Sequence, residues 1–119
     1  MKYVLMFAGS TDDQEAYEKL PKEQLAAAYE RVGQWFGENS KAGRIVGGAE
    51  LREPSTATTV RHKNGKVMIT DGPFIEGKEV IGGFAVVEVK DLDEALEMAK
   101  SWPGGSMVEV RPVVDHGPS

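Results

Sequence analysis

The spacing of hydrophobic and polar residues changes several times along the chain, and each change predicts an element. Residues 3–8 are apolar throughout, as in a central strand that is covered on both faces. Between Pro21 and Gly43, apolar side chains recur at steps of three and four, which predicts one long amphipathic helix. A second helix is predicted after Asp91, the expected N-cap, because Glu94 follows at capping-box spacing. Residues 9–13 are predicted to be loop, before a short acidic helix over 14–19.

The central part of the chain has strand and turn patterns. Residues 44–51 predict a strand in which Gly47-Gly48 marks a bulge or a close backbone approach. The stretches 56–62 and 67–70 flank Asn64-Gly65, a strong hairpin signal that sets Val60 opposite Ile69 and Arg61 opposite Met68. Two further strands are predicted, 83–89 and 107–113.

The resulting order is strand, helix, strand, hairpin, strand, helix, strand. It predicts an α+β domain of the ferredoxin-like type with an added β-hairpin. Both helices can cover only one face of a single sheet, so we expect a homodimer whose sheets pack face to face and enclose a cavity. Residues 1–113 are assigned to this single domain and residues 114–119 to a short C-terminal tail.

Composition excludes several classes of function. The chain has 119 residues, a formal charge of −5 and no cysteine. An acidic balance argues against nucleic-acid binding, and no apolar run reaches the ~20 residues of a membrane helix. Without thiols, and with His62 and His116 far apart, we expect no metal site. No nucleotide-binding glycine motif is present, so no cofactor is expected, and we expect a cytoplasmic protein.

One run of the sequence is long and unusual. Residues 70–84 read TDGPFIEGKEVIGGF, and similar matches extend over residues 2–113. This run resembles the DGPF-motif branch of the YCII-related (YciI-like) family. The resemblance implies a dimeric α/β barrel, an assembly that elsewhere hosts cofactor-free isomerases, lyases and oxygenases. Some relatives carry a histidine on the first helix, but Gln24 stands here and cannot act as an acid or base.

The DGPF run supplies most of the candidate site residues. Asp71 and Glu79 are the candidate catalytic groups, because carboxylates can handle protons; the alternative for Asp71 is a turn residue bonded to local backbone. Lys78 is a candidate anion clamp, and the alternative for this loop, which also holds Glu76, is solvated surface ion pairs. The remaining candidate ligand-binding residues are Arg111, Glu50, Gly72, Pro73 and Phe74.

Two main functions remain open from the sequence. The first is a small cofactor-free enzyme, or a small-molecule-binding domain, that acts on a small polar or anionic ligand. The second is a non-catalytic accessory or regulatory module, since the resemblance includes relatives encoded beside sigma factors, or a structural dimer domain. The polar residues in 70–83 argue against a purely structural role, which needs apolar surface instead.

Overall fold

The computed structural model of the chain describes residues 1–74 and 79–117. Its elements in chain order are β1 (Lys2–Ser10), α1 (Thr11–Glu18), α2 (Lys22–Lys41), β2 (Ile45–Glu50), a 3₁₀ turn (Pro54–Thr56), β3 (Thr58–Lys63), β4 (Lys66–Asp71), β5 (Glu79–Glu88), α3 (Leu92–Lys100) and β6 (Met107–Pro112).

Four of these strands form one antiparallel sheet in the order β2-β5-β1-β6. The predicted α+β class is confirmed, and the topology is compatible with a ferredoxin-like fold. Side chains alternate along β1, where Tyr3, Leu5 and Phe7 are buried against the helices and the residues between them are only partly buried. The sheet therefore has one face covered by helices and one face that no described element covers.

The core under the helices is an aromatic cluster around Phe7. The Phe7 ring stacks on Trp102 with centroids 3.9 Å apart, and Trp35 and Phe36 pack edge-on at 5.8 and 5.9 Å. The buried Asn39 amide donates to the Trp35 carbonyl at 2.9 Å, so this polar side chain is satisfied within its own helix. Aromatic packing of this kind holds α2 and α3 on one face of the sheet.

Several sequence-predicted boundaries need correction. Helix α1 begins at Thr11 rather than near Gln14, because Ser10 and Asp13 form a capping box. Strand β5 begins at Glu79 rather than Gly83, since the pairing with β1 continues past an irregularity near Gly82. Apolar residues recur at steps of three and four in both α2 and α3, and this spacing predicts burial of Tyr29 and Leu92, but both are exposed.

The glycines of β2 and the hairpin are placed as expected. Strand β2 has a register irregularity between Ile45 and Gly47, and Gly48 adopts a positive φ of 139° close to the β5 backbone. The hairpin pairs Val60 with Ile69, as predicted. Asn64 and Gly65 at its tip have φ values of 51° and 76°, the conformation of a two-residue hairpin turn.

The described chain is flat. It measures 47 × 46 × 19 Å and has a radius of gyration of 16.4 Å, whereas a compact domain of this length has roughly 13.5 Å. The hairpin contributes to this shape, because every residue of β3 and β4 except Thr59 is exposed. A single sheet with one helical layer and a projecting hairpin accounts for the dimensions.

Candidate functional site

The uncovered side of the sheet, which we call the open sheet face, has an apolar centre. Cross-strand pairing joins Val4 to Val86 and Met6 to Phe84, and all four side chains are partly exposed. Side chains that face each other across paired strands share one face of the sheet. The open sheet face is therefore a shallow apolar surface formed mainly by β1 and β5.

Arg111 brings a positive charge to the edge of this face. It pairs with Val4 across β1 and β6, so it lies on the same side of the sheet as the apolar centre. Its guanidinium forms an ion pair with Glu109 at 2.9 Å, and the Arg111 side chain is 68% exposed. An exposed guanidinium beside apolar side chains can bind a carboxylate or phosphate through two parallel hydrogen bonds.

Asp71 is the last residue of β4 and is exposed. The local turn does not use its carboxylate: the Gly72 N–H donates to the Ala57 carbonyl at 2.8 Å, and the Thr59 hydroxyl donates to the Gly72 carbonyl at 2.6 Å. Among the described residues, no hydrogen bond reaches the Asp71 side chain. The turn is thus held by one backbone hydrogen bond and by the Thr59 hydroxyl, and the Asp71 carboxylate is not needed to form it.

Glu79 lies at the far end of the open sheet face from Arg111. It pairs with Ser10, whereas Arg111 pairs with Val4, six residues earlier on β1. At ~3.3 Å per residue, the two side chains are separated by about 20 Å along the strands. A small molecule held by Arg111 therefore cannot reach Glu79 of the same chain.

Glu50 lies on the other side of the sheet from Arg111. Burial raises the pKa of the Tyr17 phenol above its ordinary value, and the neighbouring Tyr29 and Glu50 charges raise it further, while Arg31 lowers it. The ring of Tyr17 packs edge-on against Tyr29 at 5.7 Å, so Glu50 is near the α1–α2 contact. The structure does not bring Glu50 and Arg111 together as one ligand-binding pair.

The three residues that follow Asp71 in the DGPF run, Gly72, Pro73 and Phe74, add little enclosed surface. Pro73 is exposed and Phe74 is 69% exposed, while Gly72 takes a φ of 100° that favours glycine. Lys78, with Glu76, lies outside the described residues. Gly72 is half-buried, and Pro73 and Phe74 form an exposed segment after the hairpin rather than the wall of a cavity among the described residues.

A polar cluster that the sequence analysis did not predict lies at one end of the sheet and contains Ser10, Asp13 and Ser106. The Asp13 carboxylate accepts from the Ser10 N–H at 3.1 Å and from the Ser106 hydroxyl at 2.9 Å. The Ser10 N–H, then the Ser106 and Ser10 hydroxyls, lower the pKa of Asp13. The Ser10-x-x-Asp13 spacing is a capping-box signature and could have revealed the helix start. This cluster ties α1 to the segment before β6.

One open groove lies away from these carboxylates. It encloses about 340 Å³ between α3 and β6, with apolar walls that include Leu96, Trp102 and Val108. The buried Trp102 Nε1–H donates to no acceptor among the described residues. Residues 1–74 and 79–117 hold no group of three His, Cys, Asp or Glu side chains that could bind a metal ion. No helix within these ranges is long and apolar enough to span a membrane.

Comparison with known proteins gives the family. A model of the YCII-related domain matches residues 1–116. This chain belongs to the YCII-related family. An uncharacterized protein from Rhizobium meliloti (strain 1021) is similar to it, with 30% identity over 122 residues that cover 99% of this chain and 96% of the relative. In this YCII-related domain, Gln24 is exposed near the start of α2, and its amide neither gains nor loses a proton near neutral pH, so it cannot act as a general acid or base.

Proposed function

We propose that this protein is a homodimer of the dimeric α/β-barrel type that binds a small polar or anionic molecule. In this arrangement the open sheet faces of two copies pack against each other, and Arg111 provides the charge that holds the ligand. The proposal places the chain in the DGPF branch of its family, on the strength of the run at 70–84. The observation that carries it is an exposed guanidinium on a partly exposed apolar sheet face.

Ligand binding is favoured over catalysis by the positions of the carboxylates. Asp71 and Glu79 are both exposed in the single chain, and an exposed carboxylate lacks the low-dielectric surroundings that tune a general acid or base. Cofactor-free catalysis is the second candidate. Its support is that the Asp71 side chain is bonded to no described residue and is therefore available to a ligand.

A thermal-shift screen tests the binding proposal. The panel contains small mono- and dicarboxylates and phosphate esters, with matched neutral esters as controls. A ligand present at a hundred times its Kd stabilises the native state by about 2.7 kcal/mol. For a chain of this size that corresponds to a rise in Tm of roughly 10 °C.

The variant Arg111→Met tests whether the ligand binds at Arg111 or responds only to the overall charge of the protein. We expect it to abolish the ligand-induced rise in Tm while the unliganded protein still folds, because the guanidinium is exposed and its ion pair adds little stability. Arg52→Met is the matched control, since Arg52 is 82% exposed and lies in the loop after β2. Equal loss in both variants, or a rise that survives in Arg111→Met, contradicts the proposal.

A further inference from the structure

The hairpin formed by β3 and β4, residues 58–71, projects from the body as an arm. We call it the hairpin arm. Apart from Thr59 its residues are exposed, and an isolated two-stranded hairpin is only marginally stable in water. Its conformation therefore requires a surface that the described chain does not supply.

The two faces of the hairpin arm differ in chemistry. Residues two apart on a strand share a face, so the pairs Val60–Ile69, His62–Val67 and Thr58–Asp71 lie together. On this side, Val60, Val67 and Ile69 are 52%, 58% and 69% exposed. We call it the apolar arm face. The opposite face carries the pairs Thr59–Thr70, Arg61–Met68 and Lys63–Lys66, and Arg61 donates to the Thr70 hydroxyl at 3.0 Å.

We propose that the apolar arm face of each copy packs against a second copy of this chain, beside the facing sheets. This inference rests on the homodimer proposed above and deepens it by naming the segment that completes the interface. The occupant is a second copy because the chain's own charge distribution favours it. The hairpin arm carries three of the 14 Lys and Arg residues but only one of the 19 acidic residues, so the arm is positive and the remaining chain is negative. The three basic residues belong to the opposite face of the arm, so they contribute long-range attraction between two copies rather than contacts at the apolar arm face.

The area required by a stable interface supports the same conclusion. About five residues on each of four strands, at ~3.3 Å per residue and ~4.8 Å between strands, give the open sheet face a projected area of roughly 300 Å². A stable interface takes about 800 Å² from each partner. The hairpin arm adds roughly 200 Å², and the surface that receives the partner's arm adds the same again, which brings each copy close to that requirement.

The arrangement also gives Asp71 a different environment. Because Asp71 shares the apolar arm face with Ile69, packing of that face moves its carboxylate from solvent to the border of the subunit interface. A ligand site built there would take Asp71 from one copy and other side chains from the other.

Two substitutions on neighbouring residues of the arm test the inference. Ile69→Asp puts a charge on the apolar arm face, and Met68→Asp puts the same charge on the opposite face, where Met68 is 50% exposed. Sedimentation equilibrium measures the dimer dissociation constant, and circular dichroism checks that each variant folds. We expect Ile69→Asp to raise the dissociation constant at least a hundredfold, since each dimer has two arms and each lost isoleucine contact costs about tenfold or more. Met68→Asp should change it less than threefold.

A fluorescent label gives a second measurement that does not depend on weakening the dimer. The chain has no cysteine, so Ile69→Cys and Met68→Cys each accept one environment-sensitive dye. As protein concentration rises through the dimer range, we expect the emission of the dye at position 69 to shift to the blue and that at position 68 to stay constant.

The outcomes separate the two proposals. A wild-type dimer that is unaffected by Ile69→Asp, or equally weakened by both charges, overturns the arm inference and leaves the homodimer standing. A wild-type protein that remains monomeric to 100 µM overturns both. Loss of dimerisation in Ile69→Asp alone supports the arm even if no ligand is found.

Discussion

The loop between α3 and β6 offers a sharp test of the aromatic core. Gly104 packs so closely beneath the indole of Trp102 that a Cβ added there would lie 2.6 Å from Trp102 Cζ2 and 2.8 Å from Val32 Cγ2. Its neighbour Gly105 has more room, since a Cβ at that position would have its nearest atoms, Ala8 O and Trp102 Nε1, at 3.5 Å. The same one-carbon change at adjacent residues should therefore have opposite effects on stability.

The magnitude follows from how little Trp102 can move. Its ring is stacked on Phe7 at 3.9 Å and edge-on to Trp35 at 5.1 Å, so relief of the contact must displace the packed cluster. Overpacking of this kind costs about 1–3 kcal/mol. The alanine recovers about 0.4–1 kcal/mol by restricting the unfolded chain. We expect Gly104→Ala to lose about 1–2 kcal/mol net, and Gly105→Ala to gain up to about 1 kcal/mol.

Urea unfolding followed by tryptophan fluorescence measures both variants. Trp35 and Trp102 are the two tryptophans of the chain and both lie in the affected cluster, so the signal reports on the perturbed packing. A shift in the midpoint at constant slope gives the change in stability. Equal stability of the two variants would refute the packing of Trp102 against Gly104, and with it the proposed position of the loop that leads into β6.

Three further substitutions test other parts of the structure. Gly48→Ala should cost at least about 2 kcal/mol in thermal or urea unfolding, because φ is 139° and the new Cβ would collide with the backbone of β5. Gly47→Ala is the control, since a Cβ there would have its nearest atom, Val86 Cβ, at 3.8 Å. Equal losses of stability in the two variants would count against the close approach of β2 and β5 at Gly48. Asp13→Asn should lower Tm at pH 7. The pKa of Asp13 is lower in the folded protein than in the unfolded chain. The stabilisation by its carboxylate is therefore present above the unfolded-state pKa and is lost as pH falls through the folded-state pKa. A Tm deficit of the variant that persists at about pH 2 would contradict this cause. Asp71→Asn should change stability by less than about 0.5 kcal/mol, since the turn is held by the Gly72 N–H and the Thr59 hydroxyl and not by the Asp71 carboxylate. A large loss of stability in urea unfolding would show that the carboxylate supports the turn.

Elements set by neighbouring residues were predictable from the sequence. Asn64-Gly65 fixes the hairpin and its register because those two residues accept positive φ, and Asp91 fixes the start of α3 because its side chain accepts from the Glu94 N–H at 2.9 Å. Gly43, with a φ of 78°, follows the C-cap of α2 as expected. Each of these signals acts over a few residues, and no distant contact overrides it.

The candidate site was less predictable because it depends on pairing between distant strands. Whether Phe84 faces the helices or the open side follows from its pairing with Met6, which residues near Phe84 do not specify. Pairing with β1 continues past the irregularity near Gly82, so β5 begins at Glu79, and the register of β1 separates Glu79 from Arg111. From the sequence, the candidate residues were grouped by chemistry, whereas the sheet places Glu50 on one face and Arg111 and Glu79 at opposite ends of the other.

The mass of the protein in solution tests the account most directly. The proposed site exists only if a second copy of the chain covers the open sheet face. The exposed hairpin arm and the flat shape of the chain support such a dimer. Sedimentation equilibrium of the wild-type chain at about 10 µM should give twice the chain mass of 12.9 kDa. A mass of 12.9 kDa that persists at higher concentration would contradict the account, because the open sheet face would then be a stable free surface.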